Sequence, residues 1–282
     1  MDWLTDNKIP LGNWIRTFVD FLLDHGAGFF DAVSEVLRFF IEGLTDLMLW
    51  MHPLVLVAVF AGIAYLLHRS WKLALLVVLP LLLVINLGYW QDTIQTLSLI
   101  LFSTFTCVVI GVPLGIAAAH RPWLYNVLRP ILDLMQTIPT FVYLIPTMIM
   151  FGLGVVPGLI STVIFSIPAP IRLTYLGIAG VPKQLIEAGE SFGGTRRQLL
   201  WKVELPHAMP TIMAGVTQCI MLCLSMVVIA AMVGAPGLGV PVLRALNTVN
   251  IAKGFEAGLA IVIVAILLDR VCKQRTVGKQ GD

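Results

Sequence analysis

Charge is what this sequence has least of. Asp, Glu, Lys and Arg make up 12% of its 282 residues, 58% are hydrophobic and the mean hydropathy is +0.92. Soluble chains run near 25% charged, so a soluble fold is excluded and an all-α polytopic membrane protein is expected. Chemical equipment is equally sparse. No Gly-x-x-x-x-Gly-Lys-Ser/Thr phosphate loop occurs, so the chain cannot bind and split ATP by that route. The four cysteines, Cys107, Cys219, Cys223 and Cys272, include no Cys-x-x-Cys pair, and no histidine set has metal-ligand spacing. They read as small hydrophobes, although Cys219 and Cys223 stand one helical turn apart. His25, His52, His68, His120 and His207 fall near span ends or in polar connections, and no Ser/His/Asp, metal or paired-carboxylate constellation emerges. That argues against an enzyme. Mid-span carboxylates are almost missing as well, which argues against an ion- or proton-coupled secondary transporter. The net charge of +2 gives no sign of nucleic-acid binding. No repeat or low-complexity segment is visible, and the first apolar run long enough to insert begins near Leu54, so a cleavable signal peptide is not expected.

What is abundant is apolar length. A bilayer core takes roughly 20 apolar residues per helix, which places spans at about 53–68, 72–90, 94–119, 136–154, 157–179, 211–233 and 254–270. The last has the weakest pattern, because its uninterrupted run, Ala257 to Leu268, is short and Lys253 and Glu256 crowd its start. Basic residues gather at alternate connections: Arg69 and Lys72; Arg121 and Arg129; Lys183, Arg196, Arg197 and Lys202; and Arg270, Lys273, Arg275 and Lys279. By the positive-inside rule these face the cytoplasm, which puts residue 10 outside and residue 278 inside. Trp50, Trp71, Trp90 and Trp123 sit at span ends, as an aromatic belt requires.

The N-terminal 52 residues are acidic, with Asp2, Asp6, Asp20, Asp24, Asp31, Glu35, Glu42 and Asp46 against Lys8, Arg16 and Arg38. Two apolar stripes run through them, Trp14, Phe18, Phe21 and Leu22, then Val33, Val36, Leu37, Phe40, Ile41, Leu44, Leu47 and Met48. The glycines Gly26 and Gly28 lie between. Both stripes predict amphipathic helices, lying in the membrane interface or packed on the protein's flank as a scaffold. The organisation is therefore an acidic amphipathic region at 1–52, two additional spans at 53–92, a core at 93–272 and a cytoplasmic tail at 273–282.

One charged, glycine-centred segment, 182–206, interrupts the apolar chain. Pro182 suits the first turn of a helix, and Leu185, Ala188, Gly189 and Phe192 share a face. Gly193-Gly194 stops that helix. Thr195 with Gln198 is a capping-box pattern that starts a second, with Leu199, Leu200 and Val203 as its stripe and Pro206 as a residue it does not easily pass. Read by spacing, Glu187-Ala188-Gly189, then Gly193, then Val203-x-Leu205-Pro206, this segment resembles the cytoplasmic EAA loop of permease subunits of binding-protein-dependent ABC importers. The resemblance implies that Glu187, Ala188, Gly189, Gly193, Arg196, Arg197, Leu205 and Pro206 form a socket for a separate ATPase. Gly189 stands where alanine is usual, a change that weakens a helix by about 1 kcal/mol.

The likeness narrows within the core. Leu132 to Pro146, Ile167 to Thr174, Pro206 to Gln218, Ser225 to Ala230 and Gly237-Leu238-Gly239 resemble permeases of the glycine betaine, proline betaine and choline importers. This implies a type I ABC importer transmembrane fold with about seven transmembrane helices and an N-terminal amphipathic helix, in a bacterial cytoplasmic membrane. It further implies a homodimer, an ABC ATPase that binds ATP and Mg, and an extracytoplasmic substrate-binding protein, with no cofactor in this chain. Import of another small solute, such as an amino acid or a sulfonate, is the alternative. Pro139, Pro146, Pro168 and Pro170, with Gly152 and Gly154, are expected to break helices along the path. Phe141, Tyr143, Pro146, Pro168 and Pro170 are its candidate lining residues, since quaternary ammonium groups are held by aromatic faces. Arg172, near the inner end of its span, is expected to snorkel to the cytoplasmic face.

Overall fold

The structure, a computed structural model, describes residues 11–272. Residues 10 and 278, on which the expected orientation was stated, and the tail 273–282 lie outside them, as do residues 1–10 of the acidic region. The described residues form helices and connections, with no strand among them.

α1 (Leu11–Trp50) is a single 40-residue helix where two were expected. A lone glycine costs a helix only about 1 kcal/mol, and the Phe30 ring, one turn on, fills the space a side chain at Gly26 would need. The apolar stripe therefore stays in register across Gly26 and Gly28. One face of α1 docks on the rest of the chain: Ile41 and Met48 are buried, Phe30 meets Phe151 edge-on at 5.5 Å, and Phe40 stacks on Phe102. Another face leaves Trp14, Phe21, Phe29, Phe39 and Leu47 exposed. The helix is thus packed on the flank and amphipathic at once.

α2 (Pro53–His68) and α3 (Trp71–Asn86) make a hairpin closed by Arg69 in the left-handed region. Each has 16 residues, or about 24 Å of helix, and the pair leans on α13 and the start of α4 through Val57, Ala64, Val77 and Leu81. The core follows: α4 (Trp90–His120), α5 (Pro122–Thr137), α6 (Thr140–Phe151), α7 (Val155–Ser166) and α8 (Pro168–Ala179). Then come α9 (Lys183–Ser191), α10 (Arg196–Leu199), α11 (Leu205–Ala231), α12 (Gly239–Asn247) and α13 (Ile251–Cys272).

Each expected span has a helix at its place, and α4, α7–α8, α10–α11 and α13 are individually long and apolar enough to cross a bilayer. The last span is complete, at 22 residues. The span expected at 136–154 is different: α5 and α6 meet at a 97° bend. The cause is Pro139, which lacks an N–H and forces Ile138 into an extended conformation. Gly152 and Gly154, both at positive φ, make the next break. Pro146, Pro168 and Pro170 do not break anything so sharply. Pro146 lies inside α6, and at the α7–α8 junction Ile167 N–H still reaches the Val163 carbonyl at 2.9 Å, so Val155–Ala179 runs as one span.

The centre is the seam where α4, α8 and α11 meet. Small residues set its spacing, as in membrane helix pairs generally. A Cβ at Gly115 would lie 2.7 Å from the Ile171 carbonyl oxygen and 2.6 Å from Thr174 Cβ, so α8 approaches α4 backbone to backbone there. The Pro170 ring fills the neighbouring contact at Gly111, and Leu173 Cβ fills the one at Gly215. Cys107, Cys219 and Cys223 are buried in this core among Ile100, Ile220, Val227 and Leu238, and the Thr104 hydroxyl donates to Cys223 Sγ at 3.8 Å. They pack, as expected of small hydrophobes.

Candidate functional site

Residues 182–206 leave this core as a separate small unit. Pro182 precedes α9, which ends in a Schellman motif: Gly193 N–H donates to the Glu190 carbonyl (2.8 Å) and Gly194 N–H to the Gly189 carbonyl (3.1 Å). The motif needs a left-handed residue at its bend, and Gly193 supplies it with φ 77°. The chain then turns straight into α10. Thr195 Oγ1 accepts from Gln198 N–H at 3.4 Å, and Gln198 Oε1 accepts from Thr195 N–H at 2.9 Å, which completes the capping box read from the sequence.

The two short helices close on each other through Leu199, which is buried. A methyl group at Gly189 would come within 2.5 Å of Leu199 Cδ2. The glycine that departs from the usual alanine therefore leaves room for the end of the Leu199 side chain.

Pro206 does not end the second helix. Leu200–Glu204 form a π turn in which Leu205 N–H reaches back five residues to the Leu200 carbonyl. The widened turn rearranges the bonding just where proline lacks a donor. As a result α10 and α11 run as one 36-residue rod, Arg196–Ala231, from the connection into the membrane. The sequence reading missed this, because a π turn has no local sequence signature.

The outer surface of the unit is unusual. No residue of α9 is buried. Leu185 is exposed, Phe192 is 93% exposed, and Trp201 projects from the π turn. Glu187, Ala188, Arg196, Arg197 and Pro206 are exposed as well, while Gly189 and Leu205 are half-buried. Large apolar side chains thus share a surface with free carboxylates and guanidiniums, a composition that suits a protein partner better than lipid. Exposed apolar groups grouped among polar ones mark interaction sites.

The candidate path residues fall into two sets. Phe141, 53% exposed, and Pro146 lie on α6, where the Tyr143 hydroxyl donates across the bend to the Met135 carbonyl at 2.6 Å. Pro168 and Pro170 are buried at the start of α8, against the seam. The structure does not gather the five into one surface. Arg172 pairs with Asp133 at 2.5 Å, joining α8 to α5, and the rings of Tyr125 and Tyr175 stack at 3.5 Å between the same two helices.

One polar contact escaped the sequence reading. His120, the last residue of α4, places Nε2 2.9 Å from Glu204 Oε2 in the π turn. The carboxylate follows Val203 inside the Val203-x-Leu205-Pro206 stretch, but only the tertiary fold reveals its partner, 84 residues away.

Comparison with known proteins agrees with this architecture. Residues 111–271 match the family described as binding-protein-dependent transport system inner membrane component. The chain is 47% identical to the glycine betaine transport system permease protein OpuAB of Bacillus subtilis, over 97% of both chains. It is 46% identical to the glycine betaine/carnitine transport permease protein GbuB of Listeria monocytogenes, over 93% of this chain and 94% of that one. It is 44% identical to the glycine betaine/proline betaine transport system permease protein ProW of Escherichia coli, over 93% of this chain and 74% of the relative. Among solved structures, an inward-facing form of the MetNI methionine ABC transporter aligns with TM-score 0.56 and 26% identity, covering 62% of this chain and 88% of its own. Matched over more than half its length by the family and nearly end to end by these relatives, the chain belongs to the inner-membrane components of binding-protein-dependent transport systems and is a permease, not an enzyme.

Proposed function

We propose that this permease forms the membrane path of an ATP-driven importer for quaternary ammonium compounds such as glycine betaine, choline or carnitine. The observation that carries the substrate class is the similarity, across 93–97% of the chain, to relatives named for glycine betaine transport. The α9–α10 unit is the coupling element. Its Glu187, Ala188, Gly189, Gly193, Arg196 and Arg197, with Leu205 and Pro206 at its base, dock into a separate ATPase, and two copies of the chain enclose the path. The exposed apolar side chains of the unit, Leu185 and Phe192, otherwise costly at an aqueous surface, support this reading.

The unit sits at a connection rich in Lys and Arg, so we place it in the cytoplasm, with the N-terminus outside and the C-terminus inside. Impermeant labelling of single cysteines at positions 10 and 278, in a background lacking the four native ones, should then mark opposite faces; labelling on one face would sink this orientation. We assign the path to Phe141, Tyr143 and Pro146 on α6 and, from α8, to Pro168 and Pro170, which are buried. Contacts there need only be weak, because a path must release what it admits.

The test is reconstitution with an ATPase and a substrate-binding protein in proteoliposomes. ATP hydrolysis should rise with quaternary amines and not with ordinary amino acids, and import should survive a proton uncoupler. Stimulation by primary amino acids alone would remove the substrate class. Import driven by an ion gradient without ATP would remove the coupling mechanism.

A further inference from the structure

Glu204 is the one buried charged residue among the described residues, with 7% of the residue exposed. Burying a carboxylate without a partner is costly, and its partner is His120, whose other nitrogen, Nδ1, lies 3.0 Å from the Ile116 carbonyl. The imidazole is therefore set between two acceptors. A neutral ring carries one N–H and satisfies one of them. A ring with both nitrogens protonated donates to both, as imidazolium facing carboxylate. That arrangement is a short, directional and charge-assisted link.

Its place in the chain matters. α9 has no buried residue of its own and is held by Leu199, which leads directly into the π turn. Behind that turn lies an apolar collar in which Ile116, Ala119, Leu200 and Leu205 surround Ile178 and Ala208. The dispersion contacts of this collar have no preferred direction. The His120–Glu204 bond does have one. It ties the end of the coupling unit to α4, and α4 in turn is locked to α8 at Gly115.

We propose that His120 and Glu204 are positioning residues for transport: the strut through which displacement of the α9–α10 unit is passed to α4 and so to the path. The proposal rests on the coupling role given above to that unit. Its two ends differ in exposure, 46% for the His120 side chain and 9% for Glu204. His120→Leu therefore strands a buried carboxylate and should lower the amount of assembled complex, whereas Glu204→Leu leaves an imidazole that water can reach.

The decisive variant is the double substitution His120→Leu with Glu204→Leu, which removes both charges and leaves an apolar pair against the collar. It should restore membrane yield and co-purification with the ATPase, yet import about fivefold to tenfold less solute per ATP hydrolysed, the low end of ordinary coupling between sites. Glu204→Gln, which keeps an acceptor oxygen for Nε2–H, should recover part of that ratio. A double variant with the parental ratio would show that the pair only satisfies a buried charge, and would overturn the proposal. Should the double variant not reach the membrane, Glu204→Gln decides: a parental ratio when Glu204→Leu is also parental overturns the strut, and a graded loss from Gln to Leu supports it. Failure of the coupling reading itself looks different, since Gly193→Leu would then still co-purify with the ATPase and support transport.

Discussion

The seam of α4, α8 and α11 and the α9–α10 unit below it are both built around glycines, yet the glycines do opposite work. At the seam Gly115 is surrounded, with backbone and side-chain atoms of α8 filling the place of its missing Cβ. In the unit Gly193 is open, with nothing within 4 Å of that place and only its φ of 77° to justify it. The first position is specified by packing and the second by backbone conformation. The seam is complete within one chain, whereas the unit leaves an apolar face uncovered. That difference separates a region closed by its own packing from one whose apolar side chains stay exposed.

The contrast breaks most visibly by putting the same residue at both positions. Gly115→Leu has to push aside the Ile171 carbonyl, and overpacking of this sort costs about 1–3 kcal/mol or more. We expect little monodisperse protein on extraction, measured by fluorescence-detected size exclusion. Gly193→Leu should give near-parental yield, since its side chain meets open space, while abolishing ATPase co-purification and transport, because the bend is strained and the docking face is blocked. If Gly193→Leu were the variant that failed to assemble, the unit would belong to the fold rather than to the interface.

A smaller effect sharpens the same comparison. Phe192→Ala removes an exposed ring and should leave thermal stability of the isolated permease within about 0.5 kcal/mol of the parent. It should weaken ATPase binding by about tenfold, as loss of an aromatic anchor does. An unchanged affinity would exclude Phe192 from the docking face. Smallest is Thr195→Ala, which loses the cap of α10 and costs about 1 kcal/mol locally. Faster amide exchange at residues 195–199 with unchanged exchange in α4 and α8 would place that loss inside the unit. Faster exchange spreading into the seam would mean that the two regions fold as one.

The bend at Gly193-Gly194 and the capping box at Thr195 were legible because they rest on φ preferences and on hydrogen bonds within three residues. Apolar length announced the spans, including the short one ending at Cys272, whose 22 residues form one helix. Continuity was harder to read. Gly26, Gly28 and Pro206 are all breakers by local rule, yet helices run through all three regions. The Phe30 ring covers Gly26, and a π turn accommodates Pro206. Pro139 and Pro168 look alike in sequence, but the chain bends by 97° at one and runs on at the other.

Sequence by itself determined that this chain is helical and membrane-embedded and where its charged, glycine-centred segment turns, because hydropathy and turn chemistry act over a few residues. Which glycine faces a helix and which faces water, how α9 is held by Leu199, and that Glu204 finds His120 across 84 residues were decided only in the tertiary structure. Those features depend on the distance between helices, and no local pattern encodes it.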